Sequence, residues 1–220
     1  MMNISKGNMY GFVTHTWNPI KGKCIHDCRY CYMKVWKQKP LRLVEKELNE
    51  DLGSDNFIFV GSSTDMFAKD VPKEWISKVL AKCRNYKNTY LFQTKNPMRF
   101  NDFKDEFPIS SIFGTTLESN KNHRVSFAQD VSARAVWLSD FKANSKMVTI
   151  EPIMDFDLVP FVIMIKNIKP QWVNIGADSK GHKLLEPSKD KVLELIKELS
   201  KFTKVIKKEN LKRIMEMKEW

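Results

Sequence analysis

The amino-acid sequence predicts an α/β fold with a parallel sheet, and three observations predict it. Six short β-rich runs alternate with amphipathic helical stretches. The runs are continuously apolar rather than alternating, as in strands covered on both faces. Six such units in 220 residues give about 37 residues each, the cadence of a (βα) barrel or an open doubly wound sheet.

Taken in order, the first strand is expected at Gly11–Trp17. A helix follows over Leu41–Leu52 (LRLVEKELNEDL). The second strand, Asn56–Gly61, has the core FIFVG. A second helix starts at Pro72, a residue suited to a first helical turn, and carries Ile76, Val79, Leu80 and Cys83 as an i, i+3, i+4, i+7 stripe. Cys83 is therefore expected in the core, with hydrogen-atom donation to a substrate as its other reading. Strands at Thr89–Thr94, Ile112–Thr116, Met147–Glu151 and Trp172–Gly176 follow, with cores YLFQT, IFGTT, MVTIE and WVNIG. Ser188–Met215 reads as one long helical tract with Val192, Leu195, Ile196 and Leu199 on one face. Residues 1–182 are thus expected to form the sheet domain, and 183–220 a helical tract with a basic tail packed on it. Trp36, Trp75 and Trp137 lie in helical stretches and read as packing residues.

Polar groups stand at the end of every strand. They are Thr14, His15, Thr16 and Asn18; Ser62, Ser63, Thr64 and Asp65; Gln93, Lys95 and Asn96; Thr115, Thr116 and Glu118; Glu151; and Asn174 with Asp178. In parallel α/β folds ligands bind at the carboxyl ends of the strands, so one shared site is expected there. His15, Asp65, Gln93, Lys95 and Asn96 are the residues expected to face a substrate. His123, Arg124 and Arg134 read either as a basic groove or as a solvated helix face.

Composition excludes several classes. Apolar residues at 42% and charged residues at 29% are globular values, which excludes a wholly disordered chain. The longest apolar run, Leu158–Ile165, is far short of the ~20 residues that span a bilayer. The N-terminus lacks the apolar core of a signal peptide, so a soluble cytoplasmic protein is expected, with no membrane contact. Lys and Arg exceed Asp and Glu by 37 to 26, a net charge of +11 that favours phosphate-bearing partners or else a Lys-rich solvated surface. Lys201–Lys218 alone holds seven bases against two glutamates.

Three of the four cysteines fall within eight positions, as Cys24, Cys28 and Cys31. A Cx3Cx2C loop offers three thiolates, enough for three irons of a [4Fe–4S] cluster with the fourth iron open. An open metal position marks a reactive site rather than a structural one. A zinc site needs a fourth ligand; His15 and His26 are the candidates, although His26 sits between the cysteines.

The Cx3CxYC motif directly after a first strand resembles the radical SAM superfamily. That resemblance implies a partial (βα)6 barrel and a [4Fe–4S] cluster held by Cys24, Cys28 and Cys31. It implies S-adenosylmethionine on the open iron, cleaved to a 5′-deoxyadenosyl radical that abstracts hydrogen from a substrate. It further implies an electron donor such as a flavodoxin or ferredoxin. TWNP before the cysteines, QTKNP (Gln93–Pro97), the Glu151–Pro152 step and WVNIG look like a phage-associated branch of radical SAM proteins. The QTKN stretch is also similar to spore photoproduct lyases, which repair DNA. By this resemblance Tyr30 sets its backbone against adenine. Gly61, Ser62 and Ser63 replace the family's Gly-Gly-Glu run, so Ser63, Thr64 or Asp65 stands in for its glutamate. Thr115, Thr116 and Glu118 face the ribose and methionine ends, and Glu151 with Asn174 completes the pocket.

A six-stranded barrel is open at its side, and little chain remains to cap it. With the positive charge, this favours a nucleobase or nucleotide in DNA as substrate, modified, rearranged or repaired. A peptide- or protein-modifying radical SAM enzyme is one alternative, and a non-catalytic, zinc-stapled nucleic-acid-binding protein another.

Overall fold

β-branched and aromatic runs assemble into one curved sheet that positions everything else. The computed structural model describes residues 2–6 and 9–216. Its strands are β1 (Asn3–Ile4), β2 (His15–Trp17), β3 (Ile20–Lys21), β4 (Arg42–Leu43), β5 (Phe57–Val60), β6 (Thr89–Gln93), β7 (Ser111–Thr116), β8 (Lys146–Ile150), β9 (Trp172–Ile175) and β10 (Lys204–Lys207). The helices are α1 (Glu45–Leu48), α2 (Lys73–Arg84), α3 (Val131–Asp140), α4 (Leu158–Ile168), α5 (Lys189–Leu199) and α6 (Lys212–Met215). The eight-stranded sheet runs β1-β2-β5-β6-β7-β8-β9-β10, while β3 and β4 form a separate ribbon. Only β1 runs antiparallel to its neighbour; all other pairs in the large sheet are parallel. The α/β class with parallel strands is as the sequence predicts. Among the described residues no helix is long and apolar enough to cross a membrane.

The period of two along each strand divides the sheet into two faces. Trp17, Ile58, Val60, Tyr90, Phe92, Phe113, Val148, Ile150, Val173 and Ile175 pack outward in the main core, which also takes in the buried stripes of α2 to α5. The opposite face curls around a smaller core of Tyr10, Val13, Phe59, Leu91, Ile112 and Met147. Phe12 meets Trp172 edge-on at 5.2 Å, so the segment before β2 reaches across to β9 and floors the curve. Farther along the same inner face the residues turn polar: Gln93, Thr116, Thr149 and Asn174. The hollow is therefore apolar at the amino ends of the strands and polar at their carboxyl ends.

Three elements depart from expectation. Leu41–Leu52 is helical only over Glu45–Leu48, because Arg42 and Leu43 pair with Lys21 and Ile20 in the ribbon. The first strand is confined to His15–Trp17; Tyr10–Val13 folds as a turn in which Val13 N donates to Tyr10 O at 3.0 Å. The tract Ser188–Met215 is helical over Lys189–Leu199 and then forms β10. Val205 and Ile206, both β-branched, favour an extended chain, and β9 offers an open edge. Lys204–Lys207 pairs in parallel with Trp172–Ile175, giving seven parallel strands rather than six. The last four residues of the basic tail, 217–220, lie outside the described residues. Trp36 is another departure: it follows a short 3-10 turn (Tyr32–Val35) and is 59% exposed rather than packed.

α2 follows its predicted stripe, with Ile76, Val79, Leu80 and Cys83 all buried. Cys83 belongs to the outer core and is not brought to the polar hollow. Burial, the largest influence, pushes its thiol far above the ordinary range. Cys83→Ala is expected to cost only packing, roughly 1–2 kcal/mol, read as a lower melting temperature with any product yield unchanged. Loss of product at normal stability would instead give Cys83 a chemical role.

Candidate functional site

The cysteine loop hangs from the β3–β4 ribbon, which pins its two ends together through Ile20↔Leu43 and Lys21↔Arg42. Gly22 opens the loop at φ 126°, and a Cβ there would lie 2.4 Å from Pro40 O. A side chain is excluded, so glycine alone permits the crossing. Within the loop Asp27 N donates to Cys24 O and Cys31 N to Cys28 O, which folds the three cysteines into consecutive turns.

His26 is buried, and its Nε2 lies 2.8 Å from Asp65 Oδ2. Asp65 Oδ2 also accepts from Thr94 Oγ1 and Lys95 N, while Oδ1 accepts from Phe67 N. Burial opposes the charge on Asp65 most strongly, but His26 and these donors outweigh it and hold the carboxyl below its ordinary range. The pair fastens the cysteine loop to the ends of β5 and β6. That role accounts for His26 and engages both oxygens of Asp65.

Cys24, Cys28 and Cys31 are free thiols on the wall of one cavity of about 210 Å³, shared with Met33, Gln38 and Ser63. Burial, with Asp65 next, pushes the Cys24 thiol up to about 12, and burial raises Cys28 as well. Among the described residues no three His, Cys, Asp or Glu side chains converge on the position of one metal ion. All three thiols line that one cavity, and three thiolates from one loop are a donor set that fits an iron–sulfur cluster, in which each thiolate would hold a separate iron. Beside them Asn18 Oδ1 accepts from Ser63 N at 2.8 Å, Ser63 Oγ at 3.0 Å and Ser62 Oγ at 3.2 Å. Gly61, at φ 78°, turns the chain into that serine pair.

Deeper in, Glu118 is 2% exposed and gathers three partners. Lys95 Nζ lies 2.7 Å away, Arg134 Nη2 2.8 Å away, and the Tyr30 hydroxyl donates to the same carboxylate. Lys95 Nζ also donates to the Tyr30 oxygen at 2.7 Å. Burial is again the largest single influence and opposes the charge, but Lys95 and Arg134 together hold Glu118 far below the carboxylate range. The cluster fixes Tyr30, and with it the loop between Cys28 and Cys31. Arg134 is thus buried in an ion pair rather than on a solvated face, and with His123 and Arg124 it lines a pocket beside Glu118.

At the mouth of the hollow Glu151 pairs with Lys208 Nζ at 2.5 Å and accepts from Asn210 Nδ2 at 2.9 Å. Lys208 also lies over the Tyr10 ring at 4.7 Å. Gly176 leaves space for this network, since a Cβ there would stand 2.8 Å from both Glu151 Oε1 and Asn210 Oδ1. Tyr10 donates to Gln93 Oε1, Gln93 Nε2 donates to Thr116 Oγ1, and Asn174 Oδ1 is buried without a partner. Lys208 and Asn210 were hidden from sequence reasoning, which read their segment as helix; the KVIKK run, β-branched at its centre, was the available signal.

The structure thus brings Gln93, Thr116, Glu151 and Asn174 to one hollow, with Cys24, Cys28, Cys31, Tyr30, Lys95 and Glu118 above it. It does not bring every expected residue there. His15 begins β2 on the face of Trp17, bonded to Thr14. Thr115 points outward and donates to Thr94 O, and Thr64 donates to Gly22 O. Asn96 precedes the 3-10 turn Pro97–Phe103 without a side-chain capping bond, and its Nδ2 donates to Phe67 O.

Structures of spore photoproduct lyase share this fold. One variant aligns with a TM-score of 0.65 at 11% identity, over 92% of this chain and 78% of its own. A variant with dinucleoside spore photoproduct gives 0.64 at 10% identity, over 92% and 78%. A third, with bound AdoMet and dinucleoside spore photoproduct, gives 0.53 at 11% identity, over 90% and 64%. No curated protein matches the sequence. Residues 9–205 match the family described as "Protein of unknown function (DUF5131)", and the chain belongs to that family.

Proposed function

We propose that the protein is a radical SAM enzyme acting on a nucleobase in DNA, in a reducing cytoplasm and with phage or mobile-element DNA as its setting. The observation that carries this reading is the set of three free cysteines, from one loop, around one cavity at the carboxyl ends of a parallel sheet. When bound, a [4Fe–4S] cluster with S-adenosylmethionine, reduced by a flavodoxin or ferredoxin, supplies a 5′-deoxyadenosyl radical that abstracts hydrogen from substrate.

The chain's own residues do the holding and aiming. Cys24, Cys28 and Cys31 would hold three irons of the cluster. Ser62 and Ser63, oriented by Asn18, offer hydroxyl groups where the family has a glutamate. Glu118, Lys95 and Arg134 lock Tyr30 so that the backbone between Cys28 and Cys31 faces one direction. Gln93, Thr116 and Asn174 give the hollow hydrogen-bonding groups, and the apolar floor of Phe59, Leu91 and Met147 excludes water from it. The shared fold of spore photoproduct lyase and the +11 charge support DNA as the substrate class.

Anaerobic reconstitution with iron and sulfide tests the reading. The expected result is about four irons and four sulfides per chain and 5′-deoxyadenosine on reduction with S-adenosylmethionine present. One tightly bound zinc with S-adenosylmethionine intact would overturn it in favour of a zinc-stapled binding protein. Product formed on a peptide but not on DNA would move the substrate to the alternative class.

A further inference from the structure

The cysteine loop has an outer surface that the chemistry above does not use. Between Gly22 and Arg42 it exposes Lys23, Arg29, Lys34, Lys37, Lys39 and Arg42, while its sole acidic residue is Asp27. Two aromatic side chains stand out from the same region. Trp36 is 59% exposed although it also lines the cysteine cavity. Phe127 is 82% exposed, and its N donates to His26 O at 2.8 Å, so it stands on a segment that lies against the loop. Arg29 N donates to Val125 O at 2.7 Å, which ties that segment to the loop a second time.

Both side chains stand largely in solvent, Trp36 with the Tyr32 ring perpendicular to it at 6.5 Å. Bases stack on exposed aromatic faces, and cations around them hold the phosphates between successive bases. A duplex hides the faces of its bases, so this arrangement suits a strand whose bases are unpaired. Trp36 sits on the rim of the cavity, with Lys23 and Lys34 on the same lining. A base stacked there would stand at the entrance to the cysteine site.

We propose that Trp36, on the rim of the cysteine cavity, and Phe127, flanked by the cations of the cysteine loop, form a clamp that stacks the bases of an unpaired DNA strand. The clamp deepens the proposed function and rests on it for what is done to the base; binding itself does not depend on that reading.

The test is the affinity of reconstituted protein, without S-adenosylmethionine, for a labelled single-stranded DNA 12-mer across a salt series. The single strand is expected to bind at least about tenfold tighter than a hairpin duplex of the same sequence. Trp36→Ala and Phe127→Ala are each expected to weaken binding about 5- to 100-fold with an unchanged salt slope. Lys37→Gln with Lys39→Gln is expected to lower the slope by about 1.4. Both aromatics are exposed, so these variants fold, which circular dichroism checks. Equal or tighter duplex binding, or aromatic variants that bind as the parent does, would overturn the clamp. So would displacement of DNA by polyglutamate of equal charge, which would make the face a site for an acidic protein, and so would tighter binding of RNA than of DNA. Failure of S-adenosylmethionine cleavage in a DNA-free assay overturns the proposed function alone, and DNA binding that does not depend on Trp36 and Phe127, with cleavage intact, overturns the clamp alone.

Discussion

Cys28→Ala protein is expected to show no cluster absorbance and to release no 5′-deoxyadenosine from S-adenosylmethionine, while remaining folded. Cys28 sits in the middle of the loop, buried, with its carbonyl bonded to Cys31 N at 3.0 Å. That backbone bond survives the substitution, as do the ribbon of β3 and β4 and the His26–Asp65 pair. The lost side chain is small, so the stability cost is about 1 kcal/mol. The chemical cost is total, because two thiolates cannot hold a cluster that needs three and still leave one iron open. Iron and sulfide content, visible absorbance and a melting curve on the same sample separate the two effects. Retained cleavage by a folded variant would falsify the ligand assignment.

Glu118→Gln is expected to be the most destabilising single change near the site. It leaves Lys95 and Arg134 as buried cations without their counter-charge, with the Lys95 and Arg134 side chains 13% and 3% exposed. Removing one member of a buried ion pair costs about 3–5 kcal/mol, which lowers the melting temperature by roughly 6–20 °C for a chain of this size. Adding Arg134→Met should recover part of the loss, since the second change removes the orphaned charge. The double variant is then expected to be about 1–3 kcal/mol more stable than additivity gives. The pH dependence has a definite sign. Glu118 titrates below its ordinary value of 4.5 in the folded chain, so its contribution is complete above that pH and declines as pH falls further. The gap between parent and variant should narrow on acidification below about 4.5. A variant that melts with the parent at neutral pH would show that the cluster is balanced by its own desolvation.

Both predictions turn on residues that were legible to different degrees. The three cysteines announce themselves by spacing alone, because a single loop must supply several ligands to one group. Glu118, Lys95 and Tyr30 were each legible as polar residues near strand ends, but their union was not. Tyr30 and Glu118 are 88 residues apart, and Lys95 and Tyr30 are 65 apart. Arg134 looked like surface charge until α3 placed it against Glu118. His26 and Asp65, 39 residues apart, looked like a spare ligand and a substrate contact; each is instead the other's partner. The unused aromatic Trp36 followed the opposite course, since its helical surroundings suggested packing and its turn leaves it in solvent.

The sequence by itself determined the local order of the fold: the apolar cores of β5 to β9, the buried stripe of α2, and the loop that presents three cysteines. Those features depend on the period and chemistry of residues a few positions apart, which any window of the chain displays. Only the tertiary structure decided that Lys204–Lys207 is a strand rather than helix, because the open edge of β9 supplied hydrogen bonds that the local sequence could not reveal. It also decided which charges are buried together and which polar residues turn into the hollow. Strand pairing and ion pairing join residues distant in sequence, and their free energy exists only once the chain has brought them into contact.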